Sequence, residues 1–463
     1  MKKNILKFLI ITLLLSSTVV LGFGCKGLST EERAATKGTT LEYWTVFDDV
    51  GVINSILEPY LAQRQNLRIT VRQFSQDEIY ERLIEALAED KGPDIISVHN
   101  KEIGKYLSKL DVMPVSVQDT TVYTVKKTLG TETLVNTGAI TLPTIRDIER
   151  NYVQVVKNDV VRNNRIYGLP LSLDVMALYY NKDLLDKAGI PEPPTTWDEF
   201  QEATKKLTKI DSKTGKLIQS GTALGVSNNI SGADDLLYIL FKQSGVGFVS
   251  DSGRAVFNYI PRNTNASSPS MNVIDFFTNF ANPDRDTYTW NSEQEDALNK
   301  FSRGSLGFFF GYSYHLPQIK ARGPQLNVEI LPMLQLNSEK SVNVANYWVQ
   351  TVLKKSKHQQ EAWAVVNYLA NTSANNKYLE LTKRPTARRA NIVNQQEDEN
   401  LAPFITQVLV ADNWYYGKNY NSAKRAIGDM FTSWIRVTAD TEKPLERKKY
   451  LMDRASSIFN QSL

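Results

Sequence analysis

Cysteine is nearly absent from this chain of 463 residues: there is one, Cys25, and histidine occurs three times. A single thiol excludes an intramolecular disulfide and a structural zinc cluster built on thiolates. Three histidines, none at ligand spacing, offer no metal motif, and no cofactor is expected. Net charge is low as well. The formal +4 includes Lys2, Lys3 and Lys7 of the N-terminal segment, so the rest of the chain is close to neutral. That balance argues against nucleic acid as a partner. Beyond the N-terminus no apolar run is long enough to span a bilayer. There is no Gly-x-Ser-x-Gly, no His-Glu-x-x-His and no Walker loop, and no pair of strand-end carboxylates stands out. An enzyme is therefore not expected, an exported hydrolase being the alternative.

The hydrophobic fraction of 42% and charged fraction of 22% are those of an ordinary globular protein. At the N-terminus, Lys2 and Lys3 precede the largely apolar run Leu6 to Leu15, which Lys7 and Thr12 interrupt, the order of an export signal. Cys25 follows Leu21-Gly22-Phe23-Gly24 directly, which resembles the lipobox of bacterial lipoproteins, with Gly22 where a bulky aliphatic residue is usual. A signal over 1–24 and a lipid-bearing Cys25 are expected; a transmembrane anchor or a plain cleaved signal are the other readings. Residues 25–38 are small and polar and read as a flexible tether. The remaining body is too long for one core of ordinary size, so two lobes are expected.

The body opens on Leu41-Glu42-Tyr43-Trp44-Thr45-Val46, a strand, followed by Val52, Ile53, Ile56, Leu57 and Tyr60 at helical spacing. Leu67 to Val71 alternates like a strand, Ile79, Leu83 and Leu87 mark a helix, and Asp94 to Val98 is a short apolar strand. Strand and helix in alternation predict an α/β fold with a parallel sheet under helices. Ligands of such sheets sit beyond the carboxyl ends of the strands, here Phe47-Asp48-Asp49 and His99-Asn100. Thr196-Trp197-Asp198-Glu199 and Ser292-Glu293-Gln294-Glu295 both have capping-box form, and Leu306 to Phe310 reads as a buried strand. Residues 112–165 give no clear pattern.

Five phrases in order resemble the extracellular solute-binding proteins of the maltose-binding type: Gly92-Pro93-Asp94-Ile95-Ile96; Ile166-Tyr167-Gly168-Leu169-Pro170 with Leu178 to Leu185; Pro194-Thr195-Thr196-Trp197-Asp198; Ser356 to Trp363; and Pro385-Thr386-Ala387-Arg388. The resemblance implies a two-lobed, periplasmic-binding-protein-like fold with the ligand clamped between lobes joined by crossing strands. It places 39–175 and 350–392 in the first lobe and 176–349 and 393–463 in the second. The stretch 112–160 is longer than the family's usual linker. The resemblance further implies a monomeric receptor outside the cytoplasmic membrane, in the cell envelope, handing its solute to the permease of an ATP-binding-cassette importer. A carbohydrate is the expected solute, a polyamine, peptide, phosphate ester or metal chelate the alternatives.

Carried over position by position, the ligand contacts implied are Phe47 and Asp48 after the first strand, and His99 and Asn100 after Gly-Pro-Asp. Asp174 falls at the hinge, Asn228 and Asn229 in a second-lobe loop, and Tyr312 and Tyr314 after the buried strand. Trp348 falls at the second crossover, Arg388 in the late turn, and Trp414 and Tyr415 in a late aromatic cluster. Planar polar groups suit ring hydroxyls and aromatic faces suit the apolar faces of sugars. Each ring has a core reading beside this one, and Asp48-Asp49 also fits the acidic start of a helix. If Cys25 carries the lipid, Cys25→Ser leaves the body folded and moves the protein from the membrane fraction to the soluble fraction, as read by fractionation; retention in the membrane would refute the anchor.

Overall fold

A computed structural model describes residues 36–46, 48–128, 130–260, 268–438 and 441–463. The expected signal, Cys25, most of the tether and Phe47 lie outside these residues. The first sheet has the order Leu67–Phe74, Thr39–Val46, Ile95–His99, Trp348–Val352, Leu169–Pro170. Thr39–Val46 pairs in parallel with a neighbour on each side, and parallel neighbours require crossovers. The helices Val50–Ala62 and Glu78–Ala88 supply them. The first is capped by Asp49, whose Oδ1 accepts from the Val52 amide at 3.0 Å, and it buries Ile53, Ile56, Leu57 and Tyr60. The second buries Ile79 and Leu83. The chain moves outward from the first strand and then returns to its other side, so the strand order reverses at the carboxyl ends of Thr39–Val46 and Ile95–His99. A crevice opens at such a reversal.

The second sheet has the order Lys209–Ile210, Leu217–Thr222, Leu306–Gly311, Ala177–Asn181, Val328–Pro332. Leu306–Gly311 is buried throughout because both faces carry large rings. Phe308 and Phe310, two apart, share one face, where they meet Phe200 at 5.1 Å and Trp197 at 5.9 Å between centroids. Phe309 points to the other face and packs on Tyr179 and Phe301. Fully burying a ring of this size contributes about 1.5–3 kcal/mol. The helix Trp197–Leu207 that delivers two of these rings starts on the complete Thr196–Glu199 capping box. The Ser292–Glu295 box does not form. Asp296 caps the helix Ala297–Ser302 instead, Glu295 pairs with Arg303, and the Asn229 amide holds the carbonyls of Asn291 and Gln294 in a loop.

A third, small sheet joins Asp174–Val175, Asn343–Asn346 and Ala411–Asp412. Its members come from the three places where the chain passes between the two large sheets. The second passage precedes Trp348, because Trp348 already pairs with His99 in the first sheet; the chain is in that lobe before Gln350, the boundary taken from the resemblance. Residues 112–160 include a hairpin of twelve-residue strands, Ser116–Lys127 and Gly130–Thr141. Only Val117 and Val122 of it are buried, so no apolar stripe marks it in the sequence. Arg64 fastens its base by pairing with Asp119. No helix among the described residues is long and apolar enough to cross a membrane.

Trp363 is fully buried on the helix Gln359–Ala370 and donates from Nε1 to Asp111 at 2.9 Å. Trp363→Ala is expected to lower unfolding free energy by about 3–5 kcal/mol, measured by chemical denaturation; a loss below 1 kcal/mol would contradict this packing.

Candidate functional site

The reversal of strand order places Asp48 and His99 at the mouth of the crevice. Asp48 turns inward while its neighbour Asp49 caps a helix. It is buried, accepts from Thr45 at 2.9 Å and Tyr378 at 2.7 Å, and pairs with Arg384 at 3.1 Å. His99 is buried too. Its Nε2 lies 3.3 Å from Asn346 Oδ1, its ring meets Trp348 edge-on at 5.2 Å, and it stacks over Tyr420 of the second lobe at 6.4 Å. Tyr80 lies 6.3 Å from Trp348 in a stacked arrangement, so Tyr80, Trp348 and His99 form one aromatic wall.

Across the crevice, Leu306–Gly311 delivers Tyr312, Ser313 and Tyr314. Tyr312 and Tyr314 stack at 5.6 Å and 17°. Ser313 donates to Asp174 Oδ2 at 2.6 Å, while Asp174 Oδ1 accepts the Val175 amide at 2.9 Å. Between the lobes lies a cavity of about 590 Å³, within the usual range for small-molecule sites. Asp49, Thr382, Lys383 and Arg384 line its first-lobe side, and Ser313, Tyr314, Gln318 and Lys320 line its second-lobe side, with Asp398 and Asn400. Asp48 and Asp174 stand directly behind this wall, one holding Arg384 and the other Ser313.

Six of the residues drawn from the resemblance are engaged elsewhere. Asn100 donates to Asp159 and to the Ala345 carbonyl, bracing the hinge. Asn228 and Asn229 bond to the loop at 291–294 within the second lobe, and Asn229 also accepts from Trp290. Arg388 caps the helix Gln359–Ala370 through the Ala370 carbonyl at 2.7 Å and lies over Tyr152. Trp414 is fully buried among Phe248, Tyr415, Tyr420 and Phe459, with Nε1 on Asp235 Oδ1 at 2.7 Å, so neither ring face is open. Tyr415 is equally buried and donates to the Ser462 carbonyl at 2.7 Å, pinning the C-terminus. Arg384, Ser313 and Gln318 line the cavity although no motif in the sequence points to them, and Tyr378 stands behind them on Asp48. Arg384 stands just before the Pro385 turn that carries Arg388, and Ser313 lies between Tyr312 and Tyr314, so position in the sequence is the one signal for either.

Burial governs the titration of the site. It pushes Asp174 up to about 6, against the hydrogen bonds from Ser313 and Val175. It pushes His99 down to about 3, helped by the Lys101 ammonium. His99 is therefore neutral when folded. Its contribution to stability is present above the unfolded value near 6.5 and is lost as pH falls toward 3. Asp174 acts with the opposite sign, its contribution fading as pH rises through about 6. His99→Gln is expected to flatten the fall in unfolding free energy between pH 6.5 and pH 4, by up to about 1.4 kcal/mol per pH unit, as read by chemical denaturation at each pH. An unchanged slope would contradict a buried neutral His99. Among the described residues no group of three or more His, Cys, Asp or Glu side chains is placed to hold a metal.

Comparison with known proteins fits this geometry. A putative binding protein of Brucella abortus is 24% identical over 225 residues, 48% of this chain and 51% of its own, so the chain spans about half the length of that relative. The multiple sugar-binding protein of Streptococcus mutans is 24% identical over 312 residues, 65% of this chain and 68% of its own. The fold is similar to that of a solute-binding protein of Thermotoga lettingae solved with α-D-tagatose, with a TM-score of 0.67 and 19% identity, covering 91% of this chain and 100% of that one. Residues 55–399, three quarters of the sequence, match one family along their whole length, and the chain belongs to the bacterial extracellular solute-binding proteins.

Proposed function

We propose that this protein is an extracytoplasmic receptor that captures a sugar or short oligosaccharide between its lobes. It delivers that solute to the permease of an ATP-binding-cassette importer and is held at the membrane by a lipid on Cys25. The lobes in this reading comprise 39–175 with 348–392, and 176–347 with 393–463. The observation that carries the choice of solute is the mixed lining of the interlobe cavity. Asp49 and Asp398 stand against Lys320, Lys383 and Arg384, beside the Tyr314 ring and the polar groups of Ser313, Gln318, Thr382 and Asn400. A polyamine or metal chelate calls for carboxylates in excess, a phosphate ester for cations in excess. Asp48 pairs with Arg384 from behind the wall, which leaves two carboxylates facing two ammonium groups; that balance, with amide, hydroxyl and ring surface, suits a neutral polyhydroxylated solute. The sugar-binding names of the relatives support the same choice. No catalytic step is part of this reading.

Ligand that binds only the native state raises the melting temperature by mass action. Screened against mono-, di- and trisaccharides, spermidine and inorganic phosphate, the protein is expected to shift upward with a saccharide. Arg384→Gln is expected to weaken that saccharide's dissociation constant about tenfold or more, roughly 1.4 kcal/mol, by titration calorimetry. A shift with spermidine or phosphate alone would overturn the choice of a sugar.

A further inference from the structure

The hairpin of Ser116–Lys127 and Gly130–Thr141 uses one of its two edges to hold the first lobe and leaves the other bare. On the inner strand, the Val122 amide donates to the Gln63 carbonyl and the Val122 carbonyl accepts the Gln65 amide, both at 2.8 Å. The Gln118 amide donates to Gln360 Oε1 at 2.7 Å, and the Thr124 hydroxyl donates to Gln65 at 3.1 Å. The Arg64–Asp119 pair lies between these contacts. The outer strand has nothing equivalent. Among the described residues, the backbone groups of Gly130–Thr141 bond only within the hairpin. Its twelve residues of extended chain present a row of unpaired amides and carbonyls about 40 Å long.

An edge of that length is normally blunted by proline, by charge, by a bulge or by a covering element. Here the strand reads Gly-Thr-Glu-Thr-Leu-Val-Asn-Thr-Gly-Ala-Ile-Thr, with no proline, lysine or arginine. Its single charge, Glu132, lies near the hairpin tip and is paired with Lys127 of the same ribbon. The register runs without a shift from Ser116 opposite Thr141 to Lys127 opposite Gly130, so no bulge turns the edge away. Past Val122, no described residue of either strand is buried. A two-stranded ribbon of this kind is marginally stable in water until further strands join it.

We propose that Gly130–Thr141 is the contact strand of a symmetric dimer. It pairs antiparallel with the same strand of a second copy of this chain, and the two hairpins form one continuous sheet. A second copy is the occupant because the edge complements itself. Aligned end to end about a two-fold axis between Val135 and Asn136, Glu132 falls opposite Ala139, and no like charges meet. An edge whose one charge is already paired offers a charged foreign strand no attraction. In a two-fold contact each chain satisfies the other's unpaired groups, so neither keeps a bare edge. A dimer departs from the monomer that the family resemblance implies. No residue of the hairpin lines the interlobe cavity, so the contact is independent of which solute binds.

The test uses the full chain with Cys25→Ser, followed by sedimentation equilibrium over a concentration series. A monomer–dimer equilibrium is expected in this parent. Val135→Lys combined with Asn136→Lys sets ammonium groups on both faces of the strand at the axis. Neither position is buried, so the melting temperature is expected to stay close to that of the parent. The dimer dissociation constant is expected to rise about tenfold or more. Val135→Asp combined with Asn136→Asp is expected to do the same. Mixed one to one, the lysine and aspartate chains are expected to regain the dimer, because opposite charges then meet at the axis. That recovery needs both chains folded and both edges intact, so damage to the hairpin does not imitate it. A parent that is monomeric at every concentration overturns the proposal. So does a dimer that survives the lysine changes, or a mixture that stays monomeric.

Discussion

The side chain of Asn343 sits where the passages between the lobes meet, fully buried, and the rest of the architecture depends on it being satisfied. Its Oδ1 accepts the Met176 amide at 3.0 Å and the Val344 amide at 2.7 Å. Its Nδ2 donates to the Met176 carbonyl at 2.8 Å and to Gln407 at 2.7 Å. One amide group thus replaces ladder hydrogen bonds that the chain gives up as it leaves one sheet for the other. Each buried backbone group left without a partner would cost about 1–3 kcal/mol. Asp159 plays a related part on the first-lobe side, accepting from Asn100, Tyr347 and Asn413. These groups keep the passages ordered while leaving the lobes joined by little more than a three-stranded ribbon.

That economy at the hinge gives the interface between lobes its importance. One part of it is dry and self-complementary, with Lys101 paired to Asp235 beside the rings of Trp414 and Tyr420. Another is open, with charged and amide side chains around about 590 Å³. The two differ in how their polar groups are satisfied. Lys101 and Asp235 find each other, whereas Asp49, Lys320 and Lys383 face the cavity. Asp48 and Asp174 link the parts, each buried and each holding one cavity-lining side chain in place. Preorganised polar groups of this kind bind with less loss of side-chain entropy than mobile ones.

Much of the fold was legible because it rests on local rules. Alternating strand and helix periodicity over 39–99 specified a parallel sheet, and the reversal of strand order then fixed where Asp48 and His99 lie. The Thr196 capping box formed as read, because Trp197 and Phe200 bury the helix it starts. The Ser292 box failed because Asp296 offered a cap closer to the apolar stripe and Asn229 bound the loop before it. The hairpin at 116–141 was not legible, since a two-stranded ribbon with mostly exposed faces has no hydrophobic pattern to betray it.

The site was legible only in part. By itself the sequence determined two lobes, the strand ends that face the crevice and the family to which the chain belongs. The strand ends follow from periodicity along the chain, the two lobes from its length, and the family from five short phrases in order, all of them properties readable without tertiary contacts. The tertiary structure alone decided which side chains at those ends look outward. Arg388 and Arg384 are four residues apart in one turn, yet Arg388 caps a helix and Arg384 lines the cavity. Tyr314 and Trp414 are both aromatic residues beyond strand ends, yet Tyr314 lines the cavity and Trp414 is sealed inside an aromatic cluster. Lys101 and Asp235 are separated by more than a hundred residues and meet only because elements of the two large sheets are brought face to face. No spacing rule encodes that contact, because its geometry is set by the hinge and not by the neighbours of either residue.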